Sequence, residues 1–206
     1  MSATVRSNRP ASSAVAWISL TVWLLGTIGA FWFFELRDWR PFSTQAVRLF
    51  ETGGTTQANT WFRTHVGTDT HESGRAKLTF VHLYNPDCRC NGYTERHLRK
   101  LIDRYQSRGV RFVAALTPAY AGRTVAGPLG LPVFSSDRSL TAAGVNTAPA
   151  AMIFDADGRL IYYGPYSDSA WCGSAGGLVE PVLDRALAGG APIGGLPVVR
   201  GCFCVW

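Results

Sequence analysis

Residues 14–34, AVAWISLTVWLLGTIGAFWFF, carry no charge. At ~1.5 Å per residue a helix of that length spans roughly the 30 Å of a bilayer's hydrocarbon. Trp17, Trp32, Phe33 and Phe34 fall towards its ends, where aromatic side chains favour the headgroup layer. Arg6 and Arg9 precede the run, whereas Glu35, Arg37, Asp38 and Arg40 after it cancel in charge. The pattern predicts a single transmembrane anchor with residues 1–13 cytoplasmic and the body exported. A cleaved signal peptide is the competing reading, with Ala30 as cleavage residue, but Ile28 two positions earlier breaks the small-x-small pattern.

Beyond the anchor, residues 35–76 are polar and mixed. In RPFSTQAVRLFE, Phe42, Ala46, Leu49 and Phe50 recur at helical spacing, which predicts a short amphipathic helix, and ETGGTTQANT reads as loop. From Lys77 the chain alternates between strand and helix patterns. KLTFVHLY and VRFVAALTP are near-continuous apolar runs of the kind found in strands covered on both faces. Between them Leu98, Leu101, Ile102 and Tyr105 set one face of a helix over 91–107, and Gly109 ends it. LPVFSS is a third strand and SSDRSLTAAG a short helix with an Asp/Ser start and a Gly stop. AAMIFDADGRLIYYGPY predicts two strands joined at Asp-Ala-Asp-Gly, and GGLVEPVLDRALAG a closing helix with Pro181 early in it. The order is β-α-β-loop-β-α-Pro-β-β-α, followed by a Gly/Pro-rich linker over 189–197 and the tail GCFCVW.

The 206 residues suffice for one ordinary domain plus added segments. The net charge of +6 is scattered over Arg, with no Lys/Arg run and no aromatic ladder, so a nucleic-acid partner is not predicted. Five cysteines, at 88, 90, 172, 202 and 204, suit an oxidising compartment, and their odd number leaves at least one thiol unpaired within a monomer.

Two of these cysteines stand in NPDCRCNGY, where a strand hands over to a helix. A thiol reacts as its thiolate, and a helix amino terminus lowers its pKa, which favours Cys88 as a nucleophile. Arg89 adds a nearby cation and Asp87 offsets part of it.

Residues 77–188 resemble the thioredoxin-like superfamily, and within it the membrane-anchored thiol-disulfide oxidoreductases of bacterial envelopes. The likeness is carried by the strand ending in LYNPDCRCN, the basic amphipathic helix, the segment NTAPAAMIFDADGRLIYYG and the final helix. It implies an α/β fold, a central mixed sheet flanked by helices. It also implies a cis Pro149 lying against the redox cysteines, with Ala148 and Pro149 holding a substrate strand. The organisation implied is a cytoplasmic terminus (1–13), an anchor (14–34), a linker with a short helix (35–76), the thioredoxin-like domain (77–188) and the linker and C-x-C tail (189–206). The chain would then be an inner-membrane, single-pass protein with a periplasmic domain, exchanging disulfides with envelope proteins through Cys88 and Cys90, and needing no cofactor. It departs from the family in having one residue, Arg89, between its cysteines where the family has two. A Cys88–Cys90 bond would close a small, strained ring, and strained disulfides are the labile ones.

Where many thioredoxins keep a buried acid this chain has His82, able to move protons near neutral pH or simply to be a hydrogen-bonded core residue. His97 reads as a packed or surface side chain. Cys172, after the last strand, is a candidate resolving thiol, or a bystander or a partner of the tail. Cys202 and Cys204 are either a second shuttle pair or a structural tie for the tail. A different class of reading makes the thiolates of Cys88, Cys90, Cys202 and Cys204 a Cu(I) site in a metallochaperone or assembly factor, since soft sulfur ligands suit Cu(I). No Met-rich or His-rich stretch accompanies them. The Pro-x-x-x-Thr-x-x-Cys pattern of peroxiredoxins is missing.

Overall fold

Leu78–Tyr84 (β2) and Val110–Leu116 (β3) are buried on both faces, and they lie side by side, parallel, in the middle of a five-stranded sheet. The computed structural model describes residues 11–36, 39–42, 49–50, 53–67, 76–168, 177–190 and 199–206. Val133–Ser135 (β4) continues the parallel set beyond β3. On the other side of β2, Ala150–Asp155 (β6) and Leu160–Gly164 (β7) run antiparallel, giving the order β4-β3-β2-β6-β7. The hairpin between β6 and β7 closes at Gly158, whose φ of +70° suits a residue without a Cβ.

Side chains alternate across the pleat, so each strand feeds two cores. On one face Leu78, Phe80, Val110 and Phe112 pack with Leu98, Leu101 and Tyr105 of the helix Asn91–Tyr105 and with Val179, Val182 and Leu183 of the helix Val179–Leu187. On the other face Val81, Leu83, Val113 and Ala115 meet Trp61 and Phe62 of the helix Gly54–His65, and also Phe203 and Trp206 of the tail. With Ala11–Phe31 as α1, these helices are α2 (Gly54–His65), α3 (Asn91–Tyr105), α4 (Arg138–Ala142) and α5 (Val179–Leu187). Asp137 caps α4 by accepting a hydrogen bond from the Ser139 N–H. Thr147–Ala148 (β5) precedes a cis Ala148–Pro149 bond. This mixed sheet, flanked by helices and entered at β6 through a cis proline, is a thioredoxin-like fold.

Residues 13–34 form one helix long and apolar enough to cross a membrane, with its side chains exposed. It belongs to a unit ending at Arg37, and the compact unit runs from Asp38 to Trp206.

Two segments differ from what their pattern predicts. Within ETGGTTQANT the stretch from Gly54 is helix, not loop, although threonine, asparagine and glycine are poor helix formers. Burial outweighs propensity here, because Ala58, Trp61 and Phe62 sit at i, i+3 and i+4 and all face the core. Glycine at the first helical position also fits, since a Cβ there would lie 2.9 Å from the Ala143 carbonyl oxygen. The tail, read as an appendage, is built into strands: Arg200–Cys202 (β8) pairs antiparallel with Trp39–Pro41 (β1), and Cys204–Val205 (β9) with β5. The amphipathic helix predicted from Phe42 to Phe50 lies mainly outside the described residues; Phe42 and Leu49 are buried and Phe50 is exposed. The linker over 189–197 lies largely outside them too.

Phe62 stacks on Phe154 with ring centroids 4.2 Å apart. Phe62→Ala therefore opens a cavity at the join of α2 and the sheet and should cost about 3–5 kcal/mol in denaturant unfolding of the detergent-solubilised chain. A loss below about 1 kcal/mol would mean that α2 is not packed there.

Candidate functional site

β2 delivers the chain to the turn Asn85–Pro86–Asp87, which aims Cys88 back at the sheet. The Asn85 side chain accepts from the Asp87 N–H at 3.1 Å, and the Asn85 backbone carbonyl accepts from the Cys88 N–H at 2.9 Å and from the Asn91 side-chain amide at 2.8 Å. Cys90 then occupies the N-cap position of α3. Both sulfur-bearing residues are buried, Cys88 at 4% and Cys90 at 1% exposure, while Arg89 between them is exposed. Cys88 Sγ lies 3.7 Å from the carbonyl oxygen of Ala148, the residue before cis Pro149.

The same backbone stretch receives the tail. In the β5–β9 pair Ala148 stands opposite Cys204 and Thr147 opposite Val205. Two further bonds extend the pairing: the Trp206 N–H donates to the Asn146 carbonyl at 3.0 Å, and the Asn85 side-chain amide to the Val205 carbonyl at 3.0 Å. Phe203, the residue between β8 and β9, is buried in the core with its ring 5.3 Å from that of Phe42. Gly201 packs beneath it, where a Cβ would come within 3.1 Å of the Phe203 ring.

Cysteines two apart on an extended chain point to the same side, so Cys202 and Cys204 together face NPDCRCNGY. They pair crosswise: Cys88 with Cys204 and Cys90 with Cys202. Of the partners the sequence leaves open for Cys88, namely Cys90, Cys172 and the tail, the tail supplies it, and no Cys88–Cys90 ring is formed. The Sγ atoms of Cys90 and Cys204, in different disulfides, are 4.0 Å apart. Those of Cys88, Cys90 and Cys204 all lie within 4.8 Å of one another, as a soft cation bound by three thiolates would require once the bonds were reduced.

His82 is fully buried on β2, with Nδ1 hydrogen-bonded to the Tyr166 hydroxyl at 2.7 Å. Loss of solvent around the ring pushes its pKa down to about 3, so it is neutral at physiological pH. Its described partner is thus Tyr166 rather than a cysteine. His97, on α3, is buried as a packed side chain, with Nε2 2.7 Å from Glu180 Oε1. Burial pushes the Glu180 carboxyl up, but the His97 hydrogen bond and nearby positive charges outweigh it and hold the group below its usual value. Tyr166 and Ser167, in the loop after β7, border a crevice that Thr94, Pro149, Cys202 and Phe203 also line. Cys172 lies outside the described residues. Asn85 and the Ala148–Cys204 register are parts of the site that sequence reasoning missed; the one available signal was the repeated C-x-C.

The family model described as "Domain of unknown function (DUF6436)" matches residues 58–206, and the chain belongs to that family. No curated protein matches the sequence. A hypothetical protein of known structure from Sinorhizobium meliloti 1021 is 20% identical with a TM-score of 0.51, the match covering 65% of this chain and 81% of that one. An uncharacterized conserved protein from Geobacillus kaustophilus is 18% identical, with a TM-score of 0.48 and coverage of 64% and 77%. A thioredoxin-like protein in its oxidized form is 23% identical, with a TM-score of 0.39 and coverage of 56% and 80%.

Trypsin cleavage after Arg89 and chymotrypsin cleavage after Phe203 separate all four cysteines, so a non-reducing peptide map should contain the links 88–204 and 90–202. A Cys88–Cys90 link would contradict the crosswise pairing. The His82 ring yields a pH prediction. Below its ordinary value of 6.5 the unfolded chain binds a proton that the folded chain refuses until pH about 3, so stability falls on acidification across that window. The slope approaches about 1.4 kcal/mol per pH unit from this group. Denaturation midpoints at pH 7 and about pH 5 should converge in His82→Asn; equal acid sensitivity in both proteins would show that His82 is not held neutral.

Proposed function

We propose that this DUF6436 protein is a membrane-anchored thiol-disulfide oxidoreductase whose reacting thiol is Cys88. One observation carries the reading: Cys88 is disulfide-bonded to a cysteine on a strand that pairs with the residue before a cis proline. That is the arrangement of a thiol exchange paused at the mixed disulfide, with the tail standing where a substrate strand would lie. Exchange proceeds by thiolate attack on a disulfide sulfur, and a cysteine beside the start of a helix is favoured as thiolate and as leaving group. Pro149 and Ala148 hold the partner strand, Cys90 and the tail cysteines answer Cys88, and His82 packs beneath as a neutral hydrogen-bonded residue.

Residues 14–34 are the anchor, residues 1–13 stay in the cytoplasm and the body lies in the periplasm. Two described disulfides in one chain support that placement, because such bonds persist in oxidising compartments. Envelope proteins bearing thiols or disulfides are the substrates.

A second reading has one observation behind it, the closeness of the Cys88, Cys90 and Cys204 sulfurs, which when reduced would suit Cu(I). Titration of the reduced chain with Cu(I) against a competing chelator tests it, and affinity no better than that of free thiols would remove it.

For the oxidoreductase, the detergent-solubilised chain should catalyse dithiol-driven reduction of insulin or isomerisation of a scrambled disulfide protein, and Cys88→Ser should return the rate to background. Wild-type activity in Cys88→Ser would refute the assignment.

A further inference from the structure

The second disulfide lies against the first, and its placement gives it a task. Cys90 Sγ is 4.0 Å from Cys204 Sγ, the sulfur that holds Cys88. Cys202, the partner of Cys90, is half-buried, whereas Cys90 itself is 1% exposed. An outside thiol therefore reaches this bond at Cys202, and the thiolate it expels is Cys90. As the N-cap residue of α3, Cys90 sits at the positive end of a 15-residue helix, which favours its departure as an anion.

We propose that Cys202 and Cys90 are the receiving half of an internal disulfide relay, in which Cys90 attacks Cys204 and so releases Cys88. The relay rests on the oxidoreductase reading and adds catalytic roles for three further cysteines. Its reductant is an external dithiol. A donor thiolate attacks Cys202 Sγ: a donor–Cys202 bond forms, the Cys90–Cys202 bond breaks, and the electron pair leaves on Cys90. The Cys90 thiolate attacks Cys204 Sγ: the Cys90–Cys204 bond forms, the Cys88–Cys204 bond breaks, and the electron pair leaves on Cys88. The donor's second thiol, losing its proton to water, closes on the first donor sulfur and expels Cys202, which is protonated. The donor has lost two electrons and two protons and become a disulfide; the protein has gained thiols at Cys88 and Cys202 and keeps one disulfide, now between Cys90 and Cys204. Cys88 is then free to attack a substrate disulfide. On return, Cys202 attacks Cys90, and the Cys204 thiolate so released attacks Cys88 and expels the reduced substrate. The tail alternates between cap and carrier without leaving the site by more than a sulfur exchange.

The test uses the oxidised full chain in detergent, given less than one equivalent of dithiothreitol, quenched in acid, alkylated with N-ethylmaleimide and cleaved by trypsin and chymotrypsin. The species reduced by two electrons should carry the label on Cys88 and Cys202 and a 90–204 link, with the 88–204 link lost. Label on Cys90 and Cys202 with 88–204 intact, label on Cys88 and Cys204 with 90–202 intact, or a link that takes in Cys172 would each overturn the relay. Cys202→Ser supplies a second readout. It leaves Cys90 free, so the 90–204 link and a labelled Cys88 should appear without reductant, and an 88–204 link alone would overturn the transfer step. A relay product without substrate turnover would sink the oxidoreductase reading and leave the relay standing; Cys88-dependent turnover with no 90–204 link would do the reverse.

Discussion

The pairing of Cys204 and Val205 with Ala148 and Thr147 is the contact on which the rest of the site depends. It brings the last residues of the chain onto the backbone just before cis Pro149 and sets Cys204 against Cys88. Cys202, two residues earlier at the end of β8, is set against Cys90 by the same docking. Each neighbouring feature supports this docking. Asn85 ties the turn before Cys88 to the Val205 carbonyl, Phe203 and Trp206 sink into the core, and β8 adds a second short ladder against β1.

The two-faced sheet makes the docking possible. α3 and α5 cover one face, and on the other the core is finished by α2 and the tail's aromatic residues. The tail is therefore both a structural component and the disulfide partner of Cys88. The two bonds close loops of more than a hundred residues and stabilise the fold chiefly by restricting the unfolded chain. Cys204 and Cys202 are nevertheless half-buried where Cys88 and Cys90 are nearly sealed, so attack from outside falls on the tail's sulfurs.

Much of this was legible in the chain. The buried strands, α3, the Asp-Ala-Asp-Gly hairpin and the cis proline stand where the pattern and the resemblance put them, because local periodicity and turn chemistry agree with the tertiary fold there. The start of α2 was hidden because threonine, asparagine and glycine give no helical signal, and only the burial of Trp61 and Phe62 reveals it. The tail was hidden for another reason. GCFCVW is too short to declare strands, and its register depends on residues more than fifty positions upstream. Cys88 and Cys90 could be singled out from their own neighbourhood, but the crosswise bonds are a property of two segments separated by 112 and 116 residues. His82 marked a buried polar site correctly, while its partner, Tyr166, lies 84 residues away.

Tail bonds that exchange, rather than merely tie the chain down, differ from structural ones in reduction potential. Structural disulfides of exported proteins sit below about −300 mV, and exchanging ones above it. Equilibration of the full chain in dithiothreitol buffers, with each link quantified by mass, should place both 88–204 and 90–202 above that value. Potentials well below it for both bonds would make the tail a staple and contradict the account.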